Sequence, residues 1–263
     1  KLEKSLMAAL PGFNEPDGNV GDVYNGYEIV EVINAGAGRY AWEAITEFKS
    51  VADLAATEGL VNGRAFKTKG YYTAGDGGGQ DLIYRSSGKS GITVDGGFYF
   101  AGPGADDYLE AVDKEYVIAR RFGVKGDGST DDAARLQAAI DACKAENDSP
   151  GNDPSRILLL GEGTFVIKST LTVRSGVRVE GQGNGTKIKK GTPFTGSSAF
   201  NFVGGSNSAV NAVSFAKIRI EGAFAAFTDG TSDTGFQCRL GLSSFRDIEL
   251  DTTDGFIFDH YCQ

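Results

Sequence analysis

Histidine is almost absent: His260 is the only one in 263 residues. That leaves little room for a His-dependent catalytic triad or for a zinc site built on several imidazoles. Cysteine is scarce too. Cys143, Cys238 and Cys262 form no CxxC pair and no metal-ligand spacing. Their odd number argues against a disulfide framework and fits synthesis in a reducing cytoplasm. No apolar run approaches the ~18 residues of a membrane span, and the apolar core of the first ten residues is too short for a secretory signal. Positive charge is never clustered, and the formal net charge is −9. A nucleic-acid partner needs grouped Lys and Arg to neutralise phosphates, and an anionic membrane would be repelled. No cofactor motif stands in the chain. Glycine is what abounds, with 38 residues against 6 prolines, about twice its average usage. That balance suits many tight turns between short strands. The length allows two ordinary domains with a substantial core.

The most informative stretch is residues 120–167. Gly126 and Gly128 flank Asp127 and predict a tight turn. Thr130 reads as a helix N-cap, with Asp131 and Asp132 supplying negative charge to the first turn. Ala133, Leu136, Ile140 and Cys143 follow a helical period, so Cys143 reads as a small buried hydrophobe. Breakers from Asn147 to Pro154 end the helix. Ile157–Leu160 then reads as a buried strand, with a turn at Gly161–Gly163 before Phe165–Ile167.

Phe122-Gly-Val-Lys-Gly-Asp-Gly-Ser-Thr-Asp-Asp, Ala138-Ala-Ile and Gly163-Thr-Phe-Val-Ile together resemble the start of a right-handed parallel β-helix of the pectate-lyase-like superfamily, and within it bacteriophage tailspikes. The resemblance implies that the helix caps the mouth of a solenoid. Gly123, Gly126, Asp127, Gly128, Thr130, Asp131 and Asp132 are then structural residues rather than a site. Asp127, Asp131 and Asp132 also suggest a metal loop, but capping explains them more simply, and no metal is expected.

Upstream, Leu2, Leu6, Ala9 and Leu10 fall at helical spacing. Tyr27–Ile33 and Tyr40–Ile45 read as β-rich segments. Ser50 caps a short helix with Asp53 in the capping-box position. Arg64–Tyr72 and Gln80–Arg85 read as strands joined by a loop rich in glycine, residues 73–79. That loop lacks the Gly-Lys-Ser/Thr ending of a phosphate cradle and reads as a hairpin or interface loop. Phe48-Lys-Ser-Val-Ala-Asp-Leu and Gly70-Tyr-Tyr-Thr-Ala-Gly-Asp-Gly-Gly-Gly resemble the segment that precedes the β-helix in phage tailspikes. The expected domains are an N-terminal helix and virion-anchoring region (1–45), a small α+β connecting domain (46–115), and a capping helix with the first β-helix coils (116–263).

Downstream, Phe215-Ala-Lys-Ile-Arg-Ile-Glu recurs 30 residues later as Phe245-Arg-Asp-Ile-Glu-Leu-Asp. A repeat of that length signals stacked coils with an exposed sheet face suited to an extended polymer. Asp247, Glu249 and Asp251 would share one face, with Glu221 one coil earlier, so a carboxylate pair is geometrically possible. A solvated acidic strip is the plainer reading of these glycan-face candidates, and no catalytic residue is assigned. The uncapped last strands imply a chain that continues past Gln263, and the missing initiator methionine implies residues before Lys1.

The resemblance implies the N-terminal part of a phage tailspike. It would form a homotrimer, attach to a phage tail or baseplate adaptor protein, and bind or depolymerise host surface polysaccharide by hydrolysis or elimination. It would be assembled in the bacterial host cytoplasm, sit in the virion tail and act at the host cell surface, and residues 1–263 alone would be inactive. The alternatives are a structural tail or baseplate protein without activity, and a secreted polysaccharide lyase or hydrolase.

Overall fold

The structure, a computed structural model, describes residues 23–24, 27–34, 39–44, 46–143, 156–203, 210–211, 213–229, 240–241 and 244–257. The helix expected around Leu2–Leu10, the break at 147–154, Cys238, His260 and Cys262 lie outside them. Two compact units divide the chain: residues 1–94 with 99–112, and residues 95–98 with 113–263.

The first unit carries strands β1 (Val23–Tyr24), β2 (Tyr27–Asn34), β3 (Arg39–Ala44) and β4 (Glu47–Phe48), helix α1 (Val51–Ala55), then β5 (Ala65–Thr68), β6 (Asp81–Arg85), β7 (Tyr99–Ala101) and β8 (Tyr108–Ala111). Strands β1–β3 form an antiparallel sheet, and the others a five-stranded sheet in the order β4-β5-β6-β8-β7. Ser50 caps α1 as expected: its hydroxyl accepts from the Asp53 N–H at 3.1 Å. Burial of Val51 and Leu54 fixes that short helix to the sheet. The 73–79 loop joins the antiparallel pair β5–β6 and is filled by its own carboxylate. Asp76 accepts backbone N–H bonds from Tyr71, Tyr72, Thr73 and Gly78 at 2.8–3.0 Å. Four backbone donors in and beside the loop are thereby used.

The second unit is a right-handed parallel β-helix. Its elements are β9 (Tyr116–Ile118), β10 (Asp127–Asp131), helix α2 (Ala133–Ala142), β11 (Ile157–Leu159), β12 (Gly163–Val173), β13 (Arg178–Glu180), β14 (Thr186–Phe202), β15 (Val210–Asn211), β16 (Ser214–Asp229), β17 (Leu240–Gly241) and β18 (Ser244–Ile257). All strand pairs here are parallel. Successive coils are β9/β10, β11/β12, β13/β14, β16 and β18. A first face stacks β9, β11, β13 and the starts of β16 and β18. A second stacks β10 with residues 163–167, 187–190, 218–222 and 248–252. A third runs through 169–173, 195–202, 225–229 and 254–257.

Inward positions form stacks of like residues. Val117, Leu158, Val179, Phe215 and Phe245 stand in register on the first face, and Phe165, Ile188, Ile220 and Leu250 on the second. Phe200, Phe202, Phe215 and Phe227 are at most 2% exposed. The Phe202–Phe227 and Phe215–Phe245 rings are nearly parallel at 5.9 and 5.8 Å. Such ring contacts add about 0.5–1.5 kcal/mol each beyond area burial. Ile157–Leu160 is half buried rather than fully buried as expected. Leu158 and Leu160 face the core while Ile157 and Leu159 are partly exposed, because only one side of a rung faces inward.

The corner between the first two faces shortens along the solenoid. Early coils use residues 119–126, 160–162 and 181–185, whereas β16 and β18 turn on single residues, Lys217 and Asp247, with φ of 55° and 54°. In the first corner a single 3-10 turn, Ala119–Phe122, ends on Gly123 in the left-handed region (φ 80°). Gly126 (φ 57°) admits no side chain, since a Cβ would lie 2.6 Å from the buried Phe165 ring. The Arg120 guanidinium ties the corner together through the carbonyls of Lys125 and Glu162.

Helix α2 covers the first coil with Ala133, Leu136, Ala139, Ile140 and Cys143, all at most 4% exposed. The expected stripe is therefore the buried one, and burial pushes the Cys143 thiol up to about 12. Its start differs from expectation. Thr130 lies in β10, and α2 begins at Ala133 with Asp132 in the N-cap position. The Thr130 amide and hydroxyl both donate to the Asp127 carboxylate at 2.7 Å, so a charged acceptor outcompetes the helix for them. Asp131 instead accepts from the Ala133 amide at 3.1 Å and from the Lys168 amide at 3.1 Å. Asp132 turns away from the helix and accepts from the Lys125 and Gly126 amides at 2.7 and 2.9 Å.

Candidate functional site: the outer second face

Alternation along each rung sends two side chains per coil outward on the second face. In the third coil they are Lys187 and Lys189. In the fourth they are Arg219 and Glu221, and in the fifth Glu249 and Asp251. Arg219 and Glu249 are register partners, as are Glu221 and Asp251. The 30-residue repeat thus places three of the four carboxylates expected on this face side by side.

They surround a cation that sequence reasoning passed over. Arg219 Nη1 lies 2.7 Å from Glu249 Oε1, Nη2 3.6 Å from Asp251 Oδ2, and Nε 2.6 Å from Glu221 Oε1. The Nε contact is ionic rather than a directed hydrogen bond, since that N–H finds no acceptor along its axis. Lys187 adds a looser contact to Glu221 at 3.8 Å. Glycoside hydrolysis asks one carboxyl to stay protonated and its partner to stay free to act. Here three carboxylates are instead gathered on one guanidinium. The signal was present in the sequence: Arg219 precedes Glu221 by two residues and so shares its face.

Asp247 does not join them. It occupies the left-handed corner, where the outward alternation is broken. The row reads Glu249 and Asp251 only. Among the motif residues, hydrogen bonds from Thr130 and Ser129 hold the Asp127 carboxyl well below the usual range. Burial raises that of Asp132 against the pull of the Lys125 and Gly126 amides. Among the described residues, no group of three or more His, Cys, Asp or Glu side chains is placed to hold a metal ion. No described helix is long and apolar enough to cross a membrane.

Residues 116–221, the capped coils just described, match the family model for rhamnogalacturonase A/epimerase, pectate lyase-like. The coils, together with the first unit, are similar in fold to solved phage tailspikes. Bacteriophage CBA120 tailspike protein 2 aligns with a TM-score of 0.53 at 17% identity, over 81% of this chain and 36% of that one. The Acinetobacter phage vB_ApiP_P1 tailspike aligns at 0.54 and 18%, over 83% and 39%. In sequence, a capsule K30/K69-specific depolymerase of Klebsiella phage K5-2 is 38% identical over 68 residues, which are 26% of this chain and 8% of that protein. The chain therefore spans well under half the length of these proteins. The matched residues 116–221 hold every charged residue of the second face up to Glu221, and β18 adds Glu249 and Asp251 one rung further on.

Proposed function

We propose that the chain is the N-terminal part of a phage tailspike: a homotrimer that attaches to the virion tail and presents a β-helix to host surface polysaccharide. The capped parallel β-helix carries this reading, supported by the likeness to a capsule-specific phage depolymerase. The proposed division of labour follows the chain, with tail attachment through residues 1–45, a connecting domain over 46–115 and glycan contact from 116 onward. The outer second face binds rather than cleaves, since Arg219 engages its carboxylates in ion pairs. Depolymerisation, by hydrolysis or elimination, belongs to parts of the tailspike outside this face.

Two measurements test the proposal. Light scattering of the 263-residue chain should give a trimer mass, and a monomer would count heavily against it. Spotted on lawns of the phage's host, the same chain should bind cells without clearing capsule. A clearing halo would place the catalytic groups within these residues, and absence of cell binding would remove the glycan reading.

A further inference from the structure

The two units do not follow chain order. Residues 95–98 belong with the β-helix, while residues up to 94 and residues 99–112 belong to the first unit. The chain therefore passes between the units at 94–95, 98–99 and 112–113. Residues 95–98 end the loop 86–98 that joins β6 to β7. Most of residues 86–94 are exposed, whereas Gly97 and Phe98 are buried. A connection of that length is uncommon in a compact fold unless it has a task.

The task lies at the mouth of the solenoid. Asp95 folds the segment back: its Oδ1 accepts from the Gly97 and Phe98 amides at 2.9 and 2.8 Å, with Gly96 in the left-handed region (φ 74°). Gly97 lies flat against Phe122, and a Cβ there would stand 2.2 Å from the ring. Phe98, 3% exposed, meets Phe122 edge to face at 5.3 Å. The Arg156 guanidinium lies over the Phe98 ring, 5.1 Å from its centroid. Arg156 also donates from Nη1 to the Ala142 carbonyl at 3.2 Å and from its backbone N–H to the Cys143 carbonyl at 3.1 Å. Phe98 thus joins the end of the first corner to the entry of the second coil, and through Arg156 to the last turn of α2. Two residues on, Phe100 is buried in β7, with the Tyr71 ring at 6.1 Å. Strand β7 is an edge of the five-stranded sheet and pairs with β8. Two aromatics of one short segment are therefore buried in different units.

We propose that residues 95–98 are a strap that closes the mouth of the β-helix and couples its stability, through β7, to that of the first unit. Seating Phe98 completes the first corner and fixes the residue from which β7 starts. Unseating it exposes two aromatic rings and frees the start of an edge strand at once, so local opening on one side costs the other. Such coupling is reciprocal: a change made in either unit is felt in its neighbour. The strap works in this way whatever polymer or partner the chain binds.

Hydrogen exchange of the 263-residue chain, read at single amides, tests this. The Gly123 and Val124 amides donate to the Arg120 and Ala119 carbonyls and report on the mouth. The Gly102 amide donates to the Asp107 carbonyl just after β7 and reports on the first unit. Phe98→Ala should speed exchange at Gly123 and Val124 about a hundredfold, the order expected for an emptied aromatic site. It should speed Gly102 about tenfold, the size of an ordinary coupling between linked sites. Phe100→Ala, made in the first unit, should speed Gly123 and Val124 by the same roughly tenfold factor. Gly97→Ala should repeat the Phe98→Ala pattern with the aromatic ring still present. Val94→Ala, at an exposed position just outside the strap, is the control and should change none of these amides. Phe98→Leu keeps an apolar side chain in the socket and reads the same amides if the alanine variant does not fold. Unchanged exchange at Gly123 and Val124 in the Phe98 and Gly97 variants overturns the strap. Faster exchange at the mouth with Gly102 unaffected, and with Phe100→Ala silent at Gly123 and Val124, overturns the coupling.

Discussion

Asp132 is 1% exposed, yet its carboxylate is the acceptor for two adjacent backbone amides. It holds the Lys125–Gly126 turn closed from the start of α2 and so fixes where the solenoid begins. Removing it strands two part-buried donors, each costing up to about 1–3 kcal/mol. Asp132→Ala should therefore destabilise the β-helix unit by about 2–4 kcal/mol. Asp132→Asn retains one oxygen and should lose roughly half of that, as read from denaturant midpoints at constant slope. Equal stability of the alanine variant would show that the turn holds itself. The sequence made this motif visible but misassigned its parts. Thr130 has the right residue type for a cap, and residue type alone does not reveal that the Asp127 carboxylate lies closer. Arg219 was overlooked for a related reason: a carboxylate row draws attention, whereas the cation that decides its chemistry sits one rung away in space and 30 residues away in the chain.

At the scale of elements, the open edge of the third face is the vulnerable feature, because residues 169–173 of β12 have no preceding rung among the described residues. Gln137 supplies the missing peptide. Its amide nitrogen donates to the Thr172 carbonyl at 3.0 Å and its oxygen accepts from the Thr172 amide at 2.7 Å. One side chain on α2 thus mimics a neighbouring strand on the third face. Gln137→Leu keeps the volume and loses both bonds. It should cost about 1–3 kcal/mol and abolish slow hydrogen exchange at Thr172 while sparing the amides of β14. Unchanged protection at Thr172 would mean that α2 covers the edge without closing it. Repetition in the sequence was enough to pair β16 with β18, since Phe215 and Phe245 carry the same inward stack. The third face was not legible. Its strands continue from the second face without a turn signal, so β14 and β16 run for 17 and 16 residues where the sequence suggested short strands. The corners at Lys217 and Asp247 were hidden likewise, because no glycine marks them.

At the scale of the whole molecule, the carboxyls among the described residues that are shifted are more often lowered by partners than raised by burial, and this fixes how the protein answers to acid. The Thr130 and Ser129 donors lower Asp127, the Glu115 amide and Arg121 lower Asp113, and Lys217 lowers Glu180. In the first unit, burial pushes Asp76 up, but its four backbone donors outweigh that and hold it low. Each of these groups has a folded pKa below its unfolded value near 4. Its contribution is therefore complete above that value and is lost as pH falls through the folded one. Asp132 runs the other way: burial raises it, so protonation relieves a cost on the acid side. The lowered groups outnumber it. The melting temperature should hold roughly level from pH ~7 to ~5 and fall between ~4 and ~2. The fall should be steeper in Asp132→Asn, which lacks the opposing group. The charged face adds a second signature. Arg219→Gln leaves Glu221, Glu249 and Asp251 facing one another, and should cost about 1–2 kcal/mol at neutral pH, as a small exposed network does. That cost is repulsion between like charges at the surface, so it should shrink as salt screens them, and the melting temperatures of Arg219→Gln and the unaltered chain should converge towards ~1 M salt. A deficit that persists unchanged at ~1 M salt would show that Arg219 acts through packing of its side chain rather than through its charge.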